Sequence, residues 1–174
     1  QKMNCEFLAL PKSLIVKNKT DKTDKTDSTD LSAISNDAFI AGIFGNLNGL
    51  DRPVVVSFPG NPAEVSKNSW FGVPWISGRV SLVDVQNNYI SFASFKPDES
   101  GKYRRQKKQF AALYAVMLDD IGSKVSLERI SVQPSWIIET SKDNFQIGFI
   151  LDESITQPEQ ADQLLNAIID AGLT

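Results

Sequence analysis

The stretch AVMLDDIGSKV (115–125) runs an apolar segment straight into two adjacent carboxylates, Asp119 and Asp120. Carboxylates held rigidly at the end of a buried strand are the hard oxygen ligands required by a divalent metal that clamps a phosphoryl group. In a regular strand, neighbouring side chains point to opposite faces. Both acids therefore reach one site only where the strand ends or bulges at Asp119, which the following Ile121-Gly122 permits. The competing explanation is an aspartate pair that merely forms the turn before Gly122. The chain contains no histidine, which removes Ser-His-Asp and Cys-His catalysis and most zinc sites. Carboxylates with a divalent metal are the leading remaining route to hydrolytic or transfer chemistry.

Two further stretches carry polar chemistry. KPDESGKYRRQKKQ (96–109) is the most basic part of the chain, with Lys102, Arg104, Arg105, Lys107 and Lys108. Such a run either tracks phosphates of a nucleotide or template, or is a solvated charged loop. TSKDNFQ (140–146) offers Ser141, Asn144 and Gln146, which with the backbone N–H groups of a turn could donate to phosphate oxygens, or simply build a hairpin turn. Trp136, Phe145 and Phe149 read as core aromatics of that hairpin rather than as a base-stacking platform, while Trp70 and Trp75 are ambiguous.

The whole chain bounds these readings. At 174 residues, with 41% hydrophobic and 22% charged content, it fits one ordinary globular domain with a small appendage. A net charge of −3 argues against a global positive field for nucleic acid but leaves room for a local basic groove. The single cysteine, Cys5, forms no internal disulfide, consistent with a reducing compartment. No apolar run approaches the roughly 20 residues that span a bilayer. MNCEFLALPKSLIV (3–16) does not look like a secretory signal, so a cytoplasmic protein with no membrane partner is expected.

Several elements must position these residues. KNKTDKTDKTDSTD (17–30) lacks any apolar residue and the glycines of a calcium-binding repeat, so residues 1–30 are expected to be an N-terminal segment and linker, with the globular part starting near Leu31. A short helix is predicted over SNDAFIAGIFGNL, ending about Asn46, with Ser35 or Asn36 as N-cap. RPVVVSF (52–58) reads as a buried strand and 59–75 as a long loop. GRVSLVDV (78–85) and NYISFASF (88–95) read as a hairpin turning at Gln86-Asn87. LYAVML, leading into the acids, reads as a central strand. SWIIET and FQIGFIL read as a second hairpin about SKDN. TQPEQADQLLNAIIDAG (156–172) reads as an amphipathic helix with a Thr156/Glu159 capping box, Pro158 in its first turn and Gly172 at its end. From residue 110 onward the order is strand, hairpin, helix, an α+β arrangement.

The order of the three polar stretches, YRRQKKQF, then AVMLDDIGSKV, then PSWIIETSKDNFQIGFIL, resembles the RepB-type primase domains of plasmid and phage replication proteins, a branch of the archaeo-eukaryotic primase (prim-pol) superfamily. Asp119, Asp120, Gly122 and Lys124 match the first motif. Pro134, Ser135, Ile138, Glu139, Thr140, Ser141, Asn144 and Gln146 match the second. The likeness covers roughly residues 53 to 173 and is most specific over 104–151. It implies an RRM-like mixed or antiparallel sheet with packed helices, a prim-pol catalytic core spanning 31–174. It also implies a DNA primase/polymerase that joins nucleotides on a single-stranded DNA template using Mg2+ or Mn2+. Asp119 and Asp120 would be the catalytic metal ligands, and Ser141, Asn144, Gln146 and Lys124 would bind the (d)NTP. Arg104, Arg105, Lys107 and Lys108 would contact nucleic acid, and a replicative helicase is a further implied partner.

Three departures from the superfamily stand out: the acids are adjacent rather than separated by one residue, the second motif has no histidine, and the chain stops short of the third motif, which supplies another carboxylate. Either a catalytic domain lacking its C-terminal part, which on its own need not be active, or a degenerate domain is therefore expected. Asp152 and Asp170 are poor substitutes, one at a predicted strand end and the other on the last helical turn. The rival functions are a non-catalytic nucleic-acid-binding domain of the same fold and a structural or partner-binding α+β domain.

Overall fold

The stretch FAALYAVMLDDI forms one strand of twelve residues, and the rest of the molecule is arranged around it. A computed structural model describes residues 8–10, 34–45, 47, 49–66, 70–80, 82–83 and 86–173. The predicted linker and the predicted domain start near Leu31 lie outside the described residues. In chain order the elements are β1 (Leu8–Leu10), α1 (Asn36–Phe44), β2 (Arg52–Phe58), β3 (Val73–Pro74), β4 (Asn87–Phe95), β5 (Phe110–Ile121), β6 (Trp136–Ser141), β7 (Asn144–Ile155) and α2 (Pro158–Asp170). The seven strands form one sheet in the order β3-β2-β4-β5-β7-β6, with β1 paired to β4 outside that path. Every strand pair is antiparallel. The class is α+β, as expected.

Each face of the sheet carries one helix. Val55, Ile90, Phe92, Tyr114, Trp136 and Ile138 pack with Ile40, Ile43 and Phe44 of α1. Their sequence neighbours Val54 and Ala93, with Phe95, Leu113 and Val116, turn to the other face and pack with Ala161 and the partly buried Leu164, Leu165 and Ile168 of α2. A central strand covered on both faces has no polar side to alternate with, which explains the unbroken apolar run of β5. Each fully buried aliphatic such as Ile40 or Ile90 contributes about 1.5–3 kcal/mol. Trp136 lies flat over Gly148 of β7, where any Cβ would collide with the indole ring, and Phe39 meets Trp136 edge-on at 5.3 Å.

Several local expectations hold. Ser35 is the N-cap of α1 and accepts from the Ala38 amide at 3.2 Å. The strand over 52–58 and the hairpin over 136–155 form, β7 running past Leu151 to Ile155. Gly172 ends α2 in the left-handed conformation, φ 61°, donating to the Ile169 carbonyl.

Three expectations need correction. The strand predicted over 78–85 is not formed among its described residues: 78–80 lie in a turn, where the Arg79 and Val80 amides donate to the Ile76 carbonyl, and 82–83 are not strand. β4 instead pairs with β1, β2 and β5, so its edges are filled without a hairpin partner. The Thr156/Glu159 capping box is absent, because the N-cap is Gln157 with no side-chain hydrogen bond. Asp152 sits within β7 rather than at its end. No helix among the described residues is long and apolar enough to cross a membrane.

Candidate functional site

β5 pairs with β7 so that Leu118 faces Ile147 and Ile121 faces Phe145. Two residues on β5, Asp119 and Asp120, therefore oppose the single residue Gln146 on β7, which is a β-bulge. Asp120 takes up the extra residue by adopting φ 55°. That left-handed conformation is uncommon outside glycine, and aspartate is among the side chains that tolerate it best. The bulge breaks the alternation that would send the two carboxylates to opposite faces. Asp119 is fixed in turn by accepting from the Asp120 amide at 2.8 Å.

Two turns close over the bulge. In the first, Lys124 and Val125 donate backbone N–H groups to the Asp120 carbonyl, and Gly122 donates to that of Val125 at 2.6 Å. Gly122 has φ 94°, and an added Cβ would run into the Asp143 carbonyl oxygen of the second turn, so only glycine lets the two turns touch. The second turn is the tip of the β6–β7 hairpin, where Asp143 has φ 59°. Glu139 accepts from the Asp143 amide at 3.2 Å, and Thr140 Oγ1 donates to the Asn144 carbonyl at 3.2 Å. The Asn144 side chain joins the two turns: its Nδ2 donates to Asp120 Oδ1 at 3.3 Å, and its Oδ1 accepts from Ser123 Oγ at 2.6 Å. Ser141 pairs with Asn144 across the hairpin and is exposed beside this network.

Lys124 Nζ lies 2.6 Å from Asp120 Oδ2. The ammonium hydrogen bond, with help from Asn144, holds the Asp120 carboxyl below its ordinary range. The Lys124 amine is raised by that hydrogen bond and by the charges of Asp120 and Asp119, so both carboxylates act on one cation. Gln146 is 5% exposed, and its Oε1 has no hydrogen-bond partner. An unsatisfied buried carbonyl oxygen costs about 1–3 kcal/mol. Two carboxylates suit Mg2+ or Mn2+, which are typically held by one or two protein carboxylates with substrate phosphates completing the set. Among the described residues no third acidic or cysteine side chain joins the pair.

The basic stretch lies elsewhere. It leads into the start of β5, nine residues before Asp119, which at the rise of a β-strand is about 30 Å away. Lys107 reaches α2, 3.0 Å from Asp162 and 3.4 Å from Glu159, and is a pin for that helix. Arg104 pairs with Asp98 at 3.6 Å, and Lys108 is exposed. The structure thus brings together Asp119, Asp120, Lys124, Asn144, Gln146 and the neighbouring Ser141, and leaves Arg104, Arg105, Lys107 and Lys108 a strand's length off. Sequence reasoning missed Ser123 and Thr140, which orient Asn144. Thr140 was visible as a matched motif position, whereas nothing in the sequence marks Ser123. No family model matches the chain, and neither curated proteins nor solved structures give a significant match.

Proposed function

We propose that this chain is a metal-dependent nucleotidyltransferase domain of the prim-pol type, the primase/polymerase part of a plasmid- or phage-type replication protein acting on single-stranded DNA with (d)NTPs. The observation that carries the reading is the Asp119-Asp120 bulge, which interrupts the alternation of the strand at two consecutive acids whose charges both act on the Lys124 ammonium. Asp119 and Asp120 would hold Mg2+ or Mn2+, which supplies Lewis-acid stabilisation of charge on a transferring phosphoryl group. Lys124, tethered to Asp120, provides a cation for triphosphate oxygens. The Ser141 hydroxyl and the hairpin-tip N–H groups orient the same phosphates, with Asn144 holding the two turns together beside them. The paired turns hold this constellation on strand ends rather than on a free loop, which favours pre-organisation. The test is nucleotide incorporation on a primed single strand with Mn2+, comparing wild type with Asp119→Ala: loss of incorporation by a folded variant is expected, and retained incorporation overturns the assignment.

The separation of the basic loop from the acids favours a second reading, a domain of this fold that holds a single strand without chemistry. Binding that ignores both metal and Asp119→Ala, with no incorporation, would select it.

A further inference from the structure

The acids and their turns leave the other end of β5 unexplained. There the loop 98–106 faces the edge of the sheet across a groove of about 670 Å3, whose walls include Trp70, Phe71, Pro74, Lys102, Arg104 and Arg105. Phe71 is 74% exposed, and Val73 of the short edge strand β3 is 51% exposed. The neighbouring Trp70 is wedged against Phe58 at 4.6 Å and Tyr89 at 5.1 Å, so the exposed ring adjoins a fixed aromatic cluster.

The facing loop is braced in a way a solvated charge run is not. Asp98 accepts from the Ser100 amide at 2.9 Å, the Ser100 hydroxyl at 2.6 Å and the Lys102 amide at 3.0 Å. The buried Gln109 donates to both ends of the loop, the Lys96 carbonyl at 2.9 Å and the Lys102 carbonyl at 2.8 Å. The Tyr103 hydroxyl donates to the Leu50 carbonyl. Arg104 meets Asp98 through Nε, so its two terminal nitrogens remain for a second anion.

Cations carried on a braced loop across a groove from an exposed aromatic ring match a flexible polyanion carrying flat bases: phosphates find the guanidinium and ammonium groups, and an unstacked base finds the ring. We propose that this groove is a single-strand nucleic-acid site, with a base stacked on Phe71 and phosphates held by Lys102 and Arg104, remote from the acid pair. The proposal rests on the nucleic-acid part of the reading above and not on nucleotidyl transfer. A duplex does not fit it, because its bases are already stacked on one another.

The test is fluorescence anisotropy of labelled oligo-deoxythymidine and oligo-uridine, without metal, on the full chain. Wild type binds, and Phe71→Ala weakens binding roughly tenfold or more, the usual loss for one stacked base. Lys102→Gln and Arg104→Gln each lower the slope of log affinity against log salt by about 0.7, the value for one phosphate contact on a single strand. Asp119→Asn/Asp120→Asn leaves oligonucleotide binding unchanged. The three groove substitutions are at exposed side chains, so folding is retained and checked by circular dichroism. Wild-type affinity in Phe71→Ala and Lys102→Gln overturns the proposal, as does equal binding of duplex or absence of binding by wild type. Loss of binding in the aspartate variant alone places the strand at the acid pair, again overturning the groove while sparing the nucleotidyltransferase reading.

Discussion

The Lys124 ammonium lies 2.6 Å from Asp120 Oδ2, within the field of Asp119 as well. A divalent cation approaching the two carboxylates must displace that ammonium, and a triphosphate arriving with it would receive the displaced charge. Lys124→Met is therefore expected to act in two directions. Mn2+ alone should bind more tightly, by roughly two- to fivefold, the scale of an exposed ion pair. The Mn2+–dNTP complex should bind more weakly, since a phosphate partner is lost. Calorimetric titration with and without nucleotide reads both, and a variant with both affinities unchanged would separate Lys124 from the site.

Gly122 tests whether the two turns act as one unit. At φ 94°, with the Asp143 carbonyl where a Cβ would stand, Gly122→Ala must strain the first turn or push the hairpin tip away. The expected cost is about 1–3 kcal/mol in urea unfolding. Asn144 should at the same time lose its contact with Asp120, so nucleotide binding falls even at low temperature, where the variant is folded. Full affinity in a destabilised Gly122→Ala would mean that the hairpin tip does not contribute to the site.

The basic loop yields a pH prediction. The Asp98 carboxyl is lowered to about 2, first by the Ser100 hydroxyl, then by the Lys102 amide and further by the Ser100 amide and Arg104. A carboxylate whose folded value lies below its unfolded value of about 4 stabilises the loop at all higher pH. That contribution is lost only as pH falls from about 4 through about 2. The Ser100 and Lys102 amide resonances should be flat from pH 5 to 8 and move with an apparent midpoint near 2. A midpoint near 4 would show that the brace is not formed in solution.

Much of this was legible in the residues because it rests on local chemistry. The central strand announced itself by an apolar run with no polar side, and the hairpin by a polar turn between two β-rich segments. Asp119-Asp120 followed by Ile-Gly marked a place where the strand could end or bulge, and a bulge with Asp120 at φ 55° is what forms. What stayed hidden depends on contacts distant in sequence. GRVSLVDV has the composition of a strand, yet β4 finds its neighbours in β1, β2 and β5, so local propensity is overruled by pairing. Ser123 matters only because Asn144, 21 residues later, comes to rest beside it. The basic residues stand next to the acid strand in sequence, but the length of an extended strand carries Arg104 and Arg105 away from Asp119. Phe71 lay unremarked in the predicted loop 59–75, and only the fold sets it across a groove from the braced loop.

The most direct test of the central claim is calorimetric titration of a dNTP with Mn2+ into the wild-type chain and into Asp119→Asn/Asp120→Asn, both shown by circular dichroism to be folded. The account predicts metal-dependent nucleotide binding by wild type, reduced at least tenfold in the double variant. Equal binding by the two proteins, or binding by wild type that needs no metal, would contradict it.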